Sequence, residues 1–231
     1  MCFSYSVHQI QNTLPFDPNN LQIPIPGFFF NGFDHPNLPI CTPAEKWEMA
    51  QWGLIPSWAS NSAQQNEIQN VTLNARSETA FEKPAFKEAW LKRPCIVMAN
   101  GFFEWQHRGK MKIPYYISSH TNSLLWFAGL YEDVRINNTW QRTYTILTTE
   151  AHGIMVDIHN TKNRMPVTLK EKHLSDWLHG SIEKRQKLCL PRETVLLRAH
   201  PVNPLLNKNS INRNAPWAIE SYQKPQTEIN F

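Results

Sequence analysis

The second residue of the chain is a cysteine that directly follows the initiator methionine. Initiator methionine is usually removed when the next residue is small, and removal of Met1 would leave a free α-amine and a thiol on adjacent carbons of Cys2. Their unperturbed pKa values lie near ~8 and ~8.5, so both groups have reactive fractions at neutral pH. The amine can condense with an aldehyde to an imine, and the thiol can then close a thiazolidine ring. The position alone is also compatible with a terminal residue that has no function.

The polar run N-A-R-S-E at residues 74–78 stands just before a candidate helix. The amide of Asn74 can donate and accept hydrogen bonds, and the guanidinium of Arg76 suits a phosphate. The alternative is helix capping, with Ser77 or Thr79 near the N-cap and acidic residues in the first turn.

A carboxylate lies between aromatic residues in G-F-F-E-W, where Glu104 is the acidic member. Such a carboxylate on a strand should be partly desolvated, which raises its pKa towards the working range of a general acid or base. Glu104 could then move protons during imine formation. The alternative is simple alternation, with Glu104 on the solvent face of an edge strand.

The histidine of D-I-H, His159, is followed by Arg164 in N-R-M-P. His159 could hydrogen-bond a sugar hydroxyl or exchange a proton with an adduct, although a lone histidine is more often structural. Arg164 is a candidate phosphate contact.

Tryptophan begins and ends the run W-G-L-I-P-S-W at residues 52–58. Trp58 follows a turn that contains proline and could be a platform for an unstacked base or sugar, contributing ~1–3 kcal/mol. Core packing is the alternative for Trp58 and the expectation for Trp52.

These residues must be positioned by strands and short helices that the hydrophobic pattern predicts. Strands are predicted over 47–54, 95–106, 113–118, 124–131, 143–149 and 194–202, with a turn at 107–110. Helices are predicted over 78–92 (with Pro84 in the first turn), 169–178 and 182–190; residues 8–46 are expected to be irregular and 60–70 a mobile loop. Many strands in hairpins predict an α+β fold: a single domain over residues 1–231, built on a mainly antiparallel, barrel-like β-sheet with a few flanking helices.

Composition limits the class of protein. Of the 231 residues, 41% are hydrophobic and 12% aromatic, which supports a packed core and argues against disorder. The net charge of +4 is too mild to diagnose nucleic-acid binding but permits a local basic groove. Four cysteines without a C-x-x-C pair indicate neither a disulfide framework nor a metal site. No apolar run suggests a membrane span or a secretory leader, so we expect a cytoplasmic protein without metal or cofactor.

The order of the motifs resembles that of one family. After the N-terminal Met-Cys come W-G-L-I-P-S-W, N-A-R-S-E-T, G-F-F-E-W, A-G-L and I-H…R-M-P-V, with a weaker match in H-P-V-N at residues 200–203. This order resembles the SRAP family, the abasic-site-processing proteins once called SOS-response-associated peptidases. The resemblance covers nearly the whole chain.

The resemblance implies a DNA-damage function: a covalent thiazolidine crosslink between Cys2 and the ring-opened aldehyde of abasic sites. The implied partner is single-stranded DNA, including its junctions with duplex, and the crosslink shields the site. AP lyase chemistry and self-catalysed removal of Met1 are further activities that it suggests. We expect a monomer that does not bind membranes and that associates with the nucleoid when bound to DNA.

The family motifs also imply a role for each matching residue. Cys2 is the nucleophile, Asn74 holds the Cys2 terminus, Glu104 is the proton shuttle, and His159 acts on the ring-opened sugar and assists reversal of the crosslink. The implied DNA contacts are Trp58 for stacking and Arg76 and Arg164 for the backbone.

The chain departs from the family pattern in two places. The family often begins Met-Cys-Gly-Arg, whereas Phe3 and Ser4 follow the cysteine here, so a basic residue is missing. The family's usual motif is His-x-Arg-Met-Pro, but residues 160–163 separate His159 from Arg164 here. The assignment of Arg164 to the same contact is therefore the weakest of the transfers.

Two other functions are compatible with the same residues. One is a thiol peptidase with Cys2, His159 and Asn74 in a Cys-His-Asn arrangement, which would tolerate a blocked α-amine. The other is a non-covalent module for single-stranded DNA that uses Trp58 and Arg76 and is indifferent to abasic sites.

Overall fold

The computed structural model describes residues 2–8, 14–16, 27–121, 123–191 and 195–223. The strands in these residues are β1 (Ser4–Val7), β2 (Gly27–Asn31), β3 (Asn37–Cys41), β4 (Trp47–Trp52), β5 (Asn74–Arg76), β6 (Pro94–Ala99), β7 (Gly101–Arg108), β8 (Met111–Ser119), β9 (Leu125–Ile136), β10 (Thr139–Glu150), β11 (Arg164–Pro166), β12 (Thr168–Leu169) and β13 (Leu197–Pro201). The α-helices are α1 (Ser62–Val71), α2 (Lys87–Lys92), α3 (Met155–Ile158), α4 (Leu174–His179) and α5 (Ile182–Leu188). Short 3-10 helices lie at Gly32–Asp34, Glu171–His173, Pro204–Asn207 and Pro216–Ala218.

Five strands close into a barrel. They follow one another in the order β10, β4, β3, β6 and β9, and β9 pairs again with β10. Only the β10–β4 pairing in this ring is parallel, and β5, β11 and β12 extend the sheet beyond the ring. Large side chains that are fully buried fill the core, among them Trp52, Phe127 and Tyr144. The predicted α+β fold on a mainly antiparallel, barrel-like sheet is confirmed.

A second, antiparallel sheet carries strands in the order β13, β8, β7, β1 and β2. It includes the strand that follows Cys2 and the strand that contains Glu104. The single strand predicted over 95–106 is therefore wrong, because the chain leaves the barrel at Asn100 and enters this sheet at Gly101. A side chain at Gly101 would collide with the ring of Tyr116 and with the carbonyl of Ile117, so the change of sheet needs a glycine.

The helix predicted over 78–92 is much shorter in the structure. Residues 77–86 form successive turns, and the regular helix α2 begins only at Lys87. Proline lacks an amide hydrogen and disfavours helical geometry in the residue before it, so Pro84 delays the helix instead of starting it. Helix capping by Ser77 or Thr79 is therefore wrong, and Asn74 and Arg76 lie on a strand.

Regular structure also lies where the hydrophobic pattern did not predict it. The expected loop at 60–70 is helix α1, whose N-cap is Asn61. Within the expected irregular region 8–46, residues 27–31 and 37–41 form β2 and β3. The second of these strands contains Pro39, and proline is rare within a strand, so the sequence did not indicate a strand there. Residues 9–13 and 17–26 of that region lie outside the described residues.

The other predicted elements agree with the structure within a few residues at their ends. Strands β4, β8, β9, β10 and β13 lie where strands were predicted, and the hairpin turn occurs at 109–110, where Gly109 has a φ of +58°. The helix predicted over 182–190 corresponds to α5. The helix predicted over 169–178 starts too early, because Leu169 belongs to β12, Glu171–His173 form a 3-10 helix and α4 begins only at Leu174. Residue 194 of the last predicted strand lies outside the described residues. Across the described ranges, every helix is too short or too polar to cross a membrane.

Candidate active site

Cys2 stands immediately before β1 and is fully buried in the chain that still carries Met1. Its Sγ donates to the carbonyl oxygen of Ser4 at 3.6 Å. Burial raises the pKa of the Cys2 thiol far above its usual range, and the nearby Glu104 carboxylate raises it further. At neutral pH the thiol therefore keeps its proton.

Asn74 connects the Cys2 segment to the barrel. Strand β5 runs parallel to β10, and Asn74 stands opposite Ile146 in that pairing. Its Nδ2 donates to the carbonyl oxygen of Cys2 at 2.8 Å. Within the described residues, the buried Oδ1 of Asn74 has no hydrogen-bond partner, so this acceptor is available to a group that enters the site.

Glu104 occupies the middle strand of the second sheet, with β1 on one side and β8 on the other. Only 4% of the residue is exposed, so the alternative of an edge strand with an exposed carboxylate is wrong. Burial raises the pKa of Glu104 to about 7, while the charge of Lys162 acts in the opposite direction. Both protonation states of the carboxyl are consequently populated at neutral pH.

His159 ends helix α3 and is 5% exposed. Its Nδ1 lies 2.6 Å from the carbonyl oxygen of Arg164, and a carbonyl can only accept, so Nδ1 carries the proton and Nε2 the lone pair. Burial lowers the pKa of His159 to about 4, so the ring is neutral at pH 7. The same Nδ1 lies 3.6 Å from Oε1 of Glu104, which brings the two predicted proton-transfer residues together.

A cavity of about 490 Å³ opens over this pair. Glu104 and His159 line it together with three cations, Lys112, Lys162 and Arg213. Sequence reasoning did not select these cations, because they lie far apart along the chain and in no shared motif. Among the described residues of this lining, the three cations outnumber the single carboxyl, that of Glu104, so the lining of the cavity is positively charged, which suits a polyanionic ligand.

Phe3 also lines this cavity, in the position where the family pattern usually has glycine. Its ring packs against Phe33 with 5.1 Å between the ring centroids, and Phe33 is half exposed. Ser4, in the place of the usual arginine, is buried in β1 and offers no charge.

Both terminal nitrogens of the Arg164 guanidinium have protein partners. Nη1 and Nη2 donate to the two carboxylate oxygens of Glu78 at 2.8 Å each, and Nη2 also donates to the carbonyl oxygen of Thr148 at 2.6 Å. The residue is 8% exposed. The predicted DNA contact of Arg164 stays a prediction, and a phosphate would have to compete with Glu78 for this guanidinium.

Arg76 and Trp58 are accessible in the structure. Arg76 is exposed and lines a second cavity of about 360 Å³, which it shares with Lys162 and Arg164. Trp58 is half exposed, and its Nε1 donates to the carbonyl oxygen of Pro84 at 3.3 Å. Trp52, by contrast, is fully buried, as expected for a core residue.

A family model and the sequences of related proteins both assign the chain to the same family. The model of the family described as SOS response associated peptidase (SRAP) matches residues 7–209, so Cys2 lies before the matched range. The chain is 38% identical over 167 residues to the abasic site processing protein YoaM of Bacillus subtilis, covering 70% of each chain. It is 30% identical over 198 residues to the abasic site processing protein HMCES of Gallus gallus, covering 73% of this chain and 55% of HMCES.

The fold is also found in solved structures. A crystal structure of a protein from Bacteroides thetaiotaomicron superposes with a TM-score of 0.85 at 29% identity, covering 96% of this chain and all of that one. The second sheet and the barrel are thus an arrangement that a related protein also adopts.

Proposed function

The chain belongs to the SRAP family, and from that premise we propose that it processes abasic sites in DNA by bonding covalently to them through Cys2. Two relatives carry the name abasic site processing protein. The observation that carries the proposal is the site around Cys2: Asn74 holds the Cys2 carbonyl at 2.8 Å, and a buried carboxyl, Glu104, is close enough to raise the pKa of the Cys2 thiol.

The first step is the attack of the Cys2 α-amine, freed by loss of Met1, on the aldehyde carbon of the ring-opened deoxyribose. The resulting carbinolamine must lose water, and protonated Glu104 supplies the proton that turns its hydroxyl into a leaving water. The raised pKa of Glu104, about 7 in the chain that carries Met1, suits this role, because a carboxyl buried in this way keeps a protonated fraction at neutral pH. The product is an imine.

The second step closes the ring. The Cys2 sulfur adds to the imine carbon, its proton passes to the Glu104 carboxylate and on to the nitrogen, and a thiazolidine forms. Overall, one aldehyde and one aminothiol give one thiazolidine and one water. The neutral Nε2 of His159 can accept a proton from the sugar, and the same group assists reversal of the crosslink.

The lifetime of the imine decides which activity dominates. If the thiol closes the ring quickly, the adduct shields the abasic site. If closure is slow, loss of a proton next to the imine expels the 3′ phosphate, which is AP lyase chemistry. The raised pKa of the Cys2 thiol keeps it protonated, so ring closure depends on a group that accepts that proton.

Exposed residues outside the first cavity are the proposed contacts to the rest of the DNA. Trp58 is exposed enough to stack on an unpaired base, and Arg76 is exposed enough to bind a backbone phosphate. We propose single-stranded DNA, including its junctions with duplex, as the substrate of a monomer.

The thiol peptidase function is less well supported by the site. A cysteine peptidase needs a thiolate, which a neighbouring imidazolium usually stabilises. In this chain burial raises the pKa of the Cys2 thiol and lowers that of His159, which favours the neutral form of both. Removal of the protein's own Met1 is the narrower form of this activity that remains compatible with the site.

The test is incubation of the protein with single-stranded DNA that carries one abasic site, followed by a denaturing gel and intact mass measurement. We expect a covalent adduct with the mass of protein without Met1 plus DNA minus one water. Cys2→Ala should abolish the thiazolidine, and acetylation of the α-amine should do the same, whereas a peptidase would tolerate acetylation. Absence of an adduct, or an undiminished adduct with Cys2→Ala, would contradict the proposal.

A non-covalent DNA-binding module makes a different prediction. It would bind intact and abasic strands equally and would be indifferent to Cys2. Comparing both strands at two salt concentrations separates the two functions.

A further inference from the structure

The segment between His159 and Arg164 is three residues longer than in the usual His-x-Arg-Met-Pro motif of the family, and the structure gives it defined contacts. The side chain of Asn160 accepts from the amide of His107 at 3.0 Å and donates to the His107 carbonyl at 2.8 Å, which ties the segment to β7. Asn163 adopts a left-handed conformation, with φ +50°, and its amide donates to the carbonyl of His159 at 2.9 Å. Residues 160–163 therefore form a turn that hydrogen bonds hold against β7 and His159.

Because of this turn, Arg164 holds His159 in place but does not point its guanidinium towards the cavity that contains Glu104 and His159. The guanidinium of Arg164 is turned towards Glu78 and Thr148, while its carbonyl accepts the Nδ1 proton of His159 at 2.6 Å. Arg164 thereby fixes the tautomer of His159 and fastens β11 to β10. Its charge is already balanced by the Glu78 carboxylate.

Lys162, at the exposed side of the turn, is placed differently. It lines the cavity that contains Glu104 and His159, and it also lines the neighbouring cavity that contains Arg76. Its charge is near enough to lower the pKa of both Glu104 and His159. The lysine therefore stands at the boundary between the proposed reaction site and the proposed backbone contact.

We propose that Lys162 binds the DNA phosphate that adjoins the abasic deoxyribose, in the role that the family motif would give to Arg164. This inference rests on the proposed function. The deoxyribose in the first cavity is covalently joined to its own phosphates, so a cation at the boundary of the two cavities meets a phosphate next to the reacting sugar. A flexible ammonium binds phosphate as a point charge and needs no bidentate geometry.

The second cavity also supports a phosphodiester as the ligand. Its lining includes three cations, Arg76, Lys162 and Arg164, and two carboxylates, Glu78 and Glu150. Because Glu78 is paired with Arg164, the charges that remain for a ligand are those of Arg76 and Lys162 against the exposed Glu150. The cavity thus retains a positive charge that a phosphate can balance.

The experiment measures non-covalent binding, so that chemistry does not interfere. The Cys2→Ala protein is titrated with single-stranded DNA that carries one tetrahydrofuran abasic analogue, which has no aldehyde, at several salt concentrations. We expect Lys162→Gln to weaken binding roughly three- to tenfold at low salt and to make the salt dependence shallower by about 0.7 in log–log slope, the value for one lost phosphate contact on a single strand. Lys162→Arg should restore most of the affinity and of the salt dependence, and Lys172→Gln, at an exposed lysine of the 3-10 helix Glu171–His173, should change neither.

A companion variant tests the role of Arg164. Arg164→Gln should lower the melting temperature clearly, because it leaves Glu78 and the Thr148 carbonyl without their partner, whereas Lys162→Gln should leave the melting temperature unchanged. An unchanged salt slope in Lys162→Gln would overturn the inference. So would an Arg164→Lys protein that loses the slope while keeping the melting temperature of the wild type.

The two proposals fail in distinguishable ways. Crosslinking of the unsubstituted protein to an aldehyde-bearing strand tests the proposed function by itself. If that adduct forms while Lys162→Gln in the Cys2→Ala protein binds the analogue as tightly as Cys2→Ala alone at every salt concentration, only the inference about Lys162 is wrong. If no adduct forms, the proposed function is wrong whatever the binding data show.

Discussion

At the scale of single residues, the candidate site contains a carboxyl, Glu104, whose pKa lies above that of the neighbouring imidazole, His159, the opposite of their order in water. Burial raises the pKa of the Glu104 carboxyl to about 7 and lowers that of the His159 imidazole to about 4. At neutral pH the carboxyl can therefore donate a proton, and the imidazole can only accept one. In water the two side chains would more often act the other way round, so the burial of the pair sets the direction of proton transfer.

The first prediction concerns Glu104→Gln. The glutamine keeps the shape of the side chain but cannot supply a proton, and we expect crosslinking to slow by about 10²-fold or more, the usual contribution of a general acid or base. In the wild type the loss of the acid form of Glu104 above about pH 7 should offset the gain in free α-amine, so the rate should level off near pH 7 and fall above ~8, whereas in Glu104→Gln it should keep rising to about pH 8. Single-turnover crosslinking rates at a series of pH values measure both effects.

Two comparisons make the Glu104 experiment decisive. Glu171→Gln, at an exposed carboxylate, should leave the pH profile as it is in the wild type. A Glu104→Gln protein whose rate still levels off near pH 7 would show that another group is the acid. The folded wild type also holds a proton on Glu104 that the unfolded chain releases from pH 4.5 upwards, so its stability relative to Glu104→Gln should decline as the pH rises from 4.5 to about 7.

At the scale of elements, helix α1 shows how polar contacts can hold a segment that has no apolar stripe. Gln65 and Gln69 are its buried residues. The Gln65 amide donates to the carbonyls of Ala59 and Arg135, at 2.9 and 3.2 Å, and Gln69 donates to the Gln51 side chain at 3.0 Å. The helix is attached to the barrel by buried amides, which is why hydrophobic periodicity did not reveal it.

The second prediction follows from these amides. Gln65→Ala should lower the free energy of unfolding by about 1–3 kcal/mol, because the carbonyls of Ala59 and Arg135 lose a buried donor. Glu67→Ala, on the exposed face of the same helix, should change it by no more than about 0.5 kcal/mol. Denaturant unfolding of the two variants measures the difference, and equal values would mean that the Gln65 contacts contribute little.

At the scale of the whole molecule, charge is distributed unevenly. The net charge is only +4, yet Lys112, Lys162 and Arg213 surround one cavity and Arg76 lines the next. A mild total charge keeps non-specific attraction low, while the local concentration of cations supplies the field that a DNA strand would meet.

The third prediction uses this distribution. If these four cations contact phosphates, binding of single-stranded DNA to the Cys2→Ala protein should fall with salt at a log–log slope of about −3, roughly 0.7 for each contact. Fluorescence anisotropy at several salt concentrations measures the slope. A slope near zero would mean that the cavity cations do not bind the backbone, and a slope several times steeper would require contacts elsewhere on the surface.

Much of the fold could be predicted from hydrophobic pattern alone, and the exceptions have physical causes. Long alternating segments such as β9 and β10 carry enough repeats to be recognised. The prediction over 95–106 joins two strands into one, since nothing local distinguishes one long strand from two that belong to different sheets. Pro84 was placed within a helix that starts only after it, because its position relative to the first turn depends on the surrounding contacts.

The sequence by itself determined the chemical groups and their order: a cysteine after the initiator methionine, and an amide, a carboxyl, an imidazole and two arginines in family motifs. Only the tertiary structure decided what each group can do. Asn74 reaches the carbonyl of Cys2 across 72 residues of chain, because β5 joins the barrel beside β10. Glu104 is buried because its strand lies between β1 and β8. Solvation and long-range pairing set the acidity and partners of a side chain, and both depend on which strands become neighbours, information that no local pattern contains.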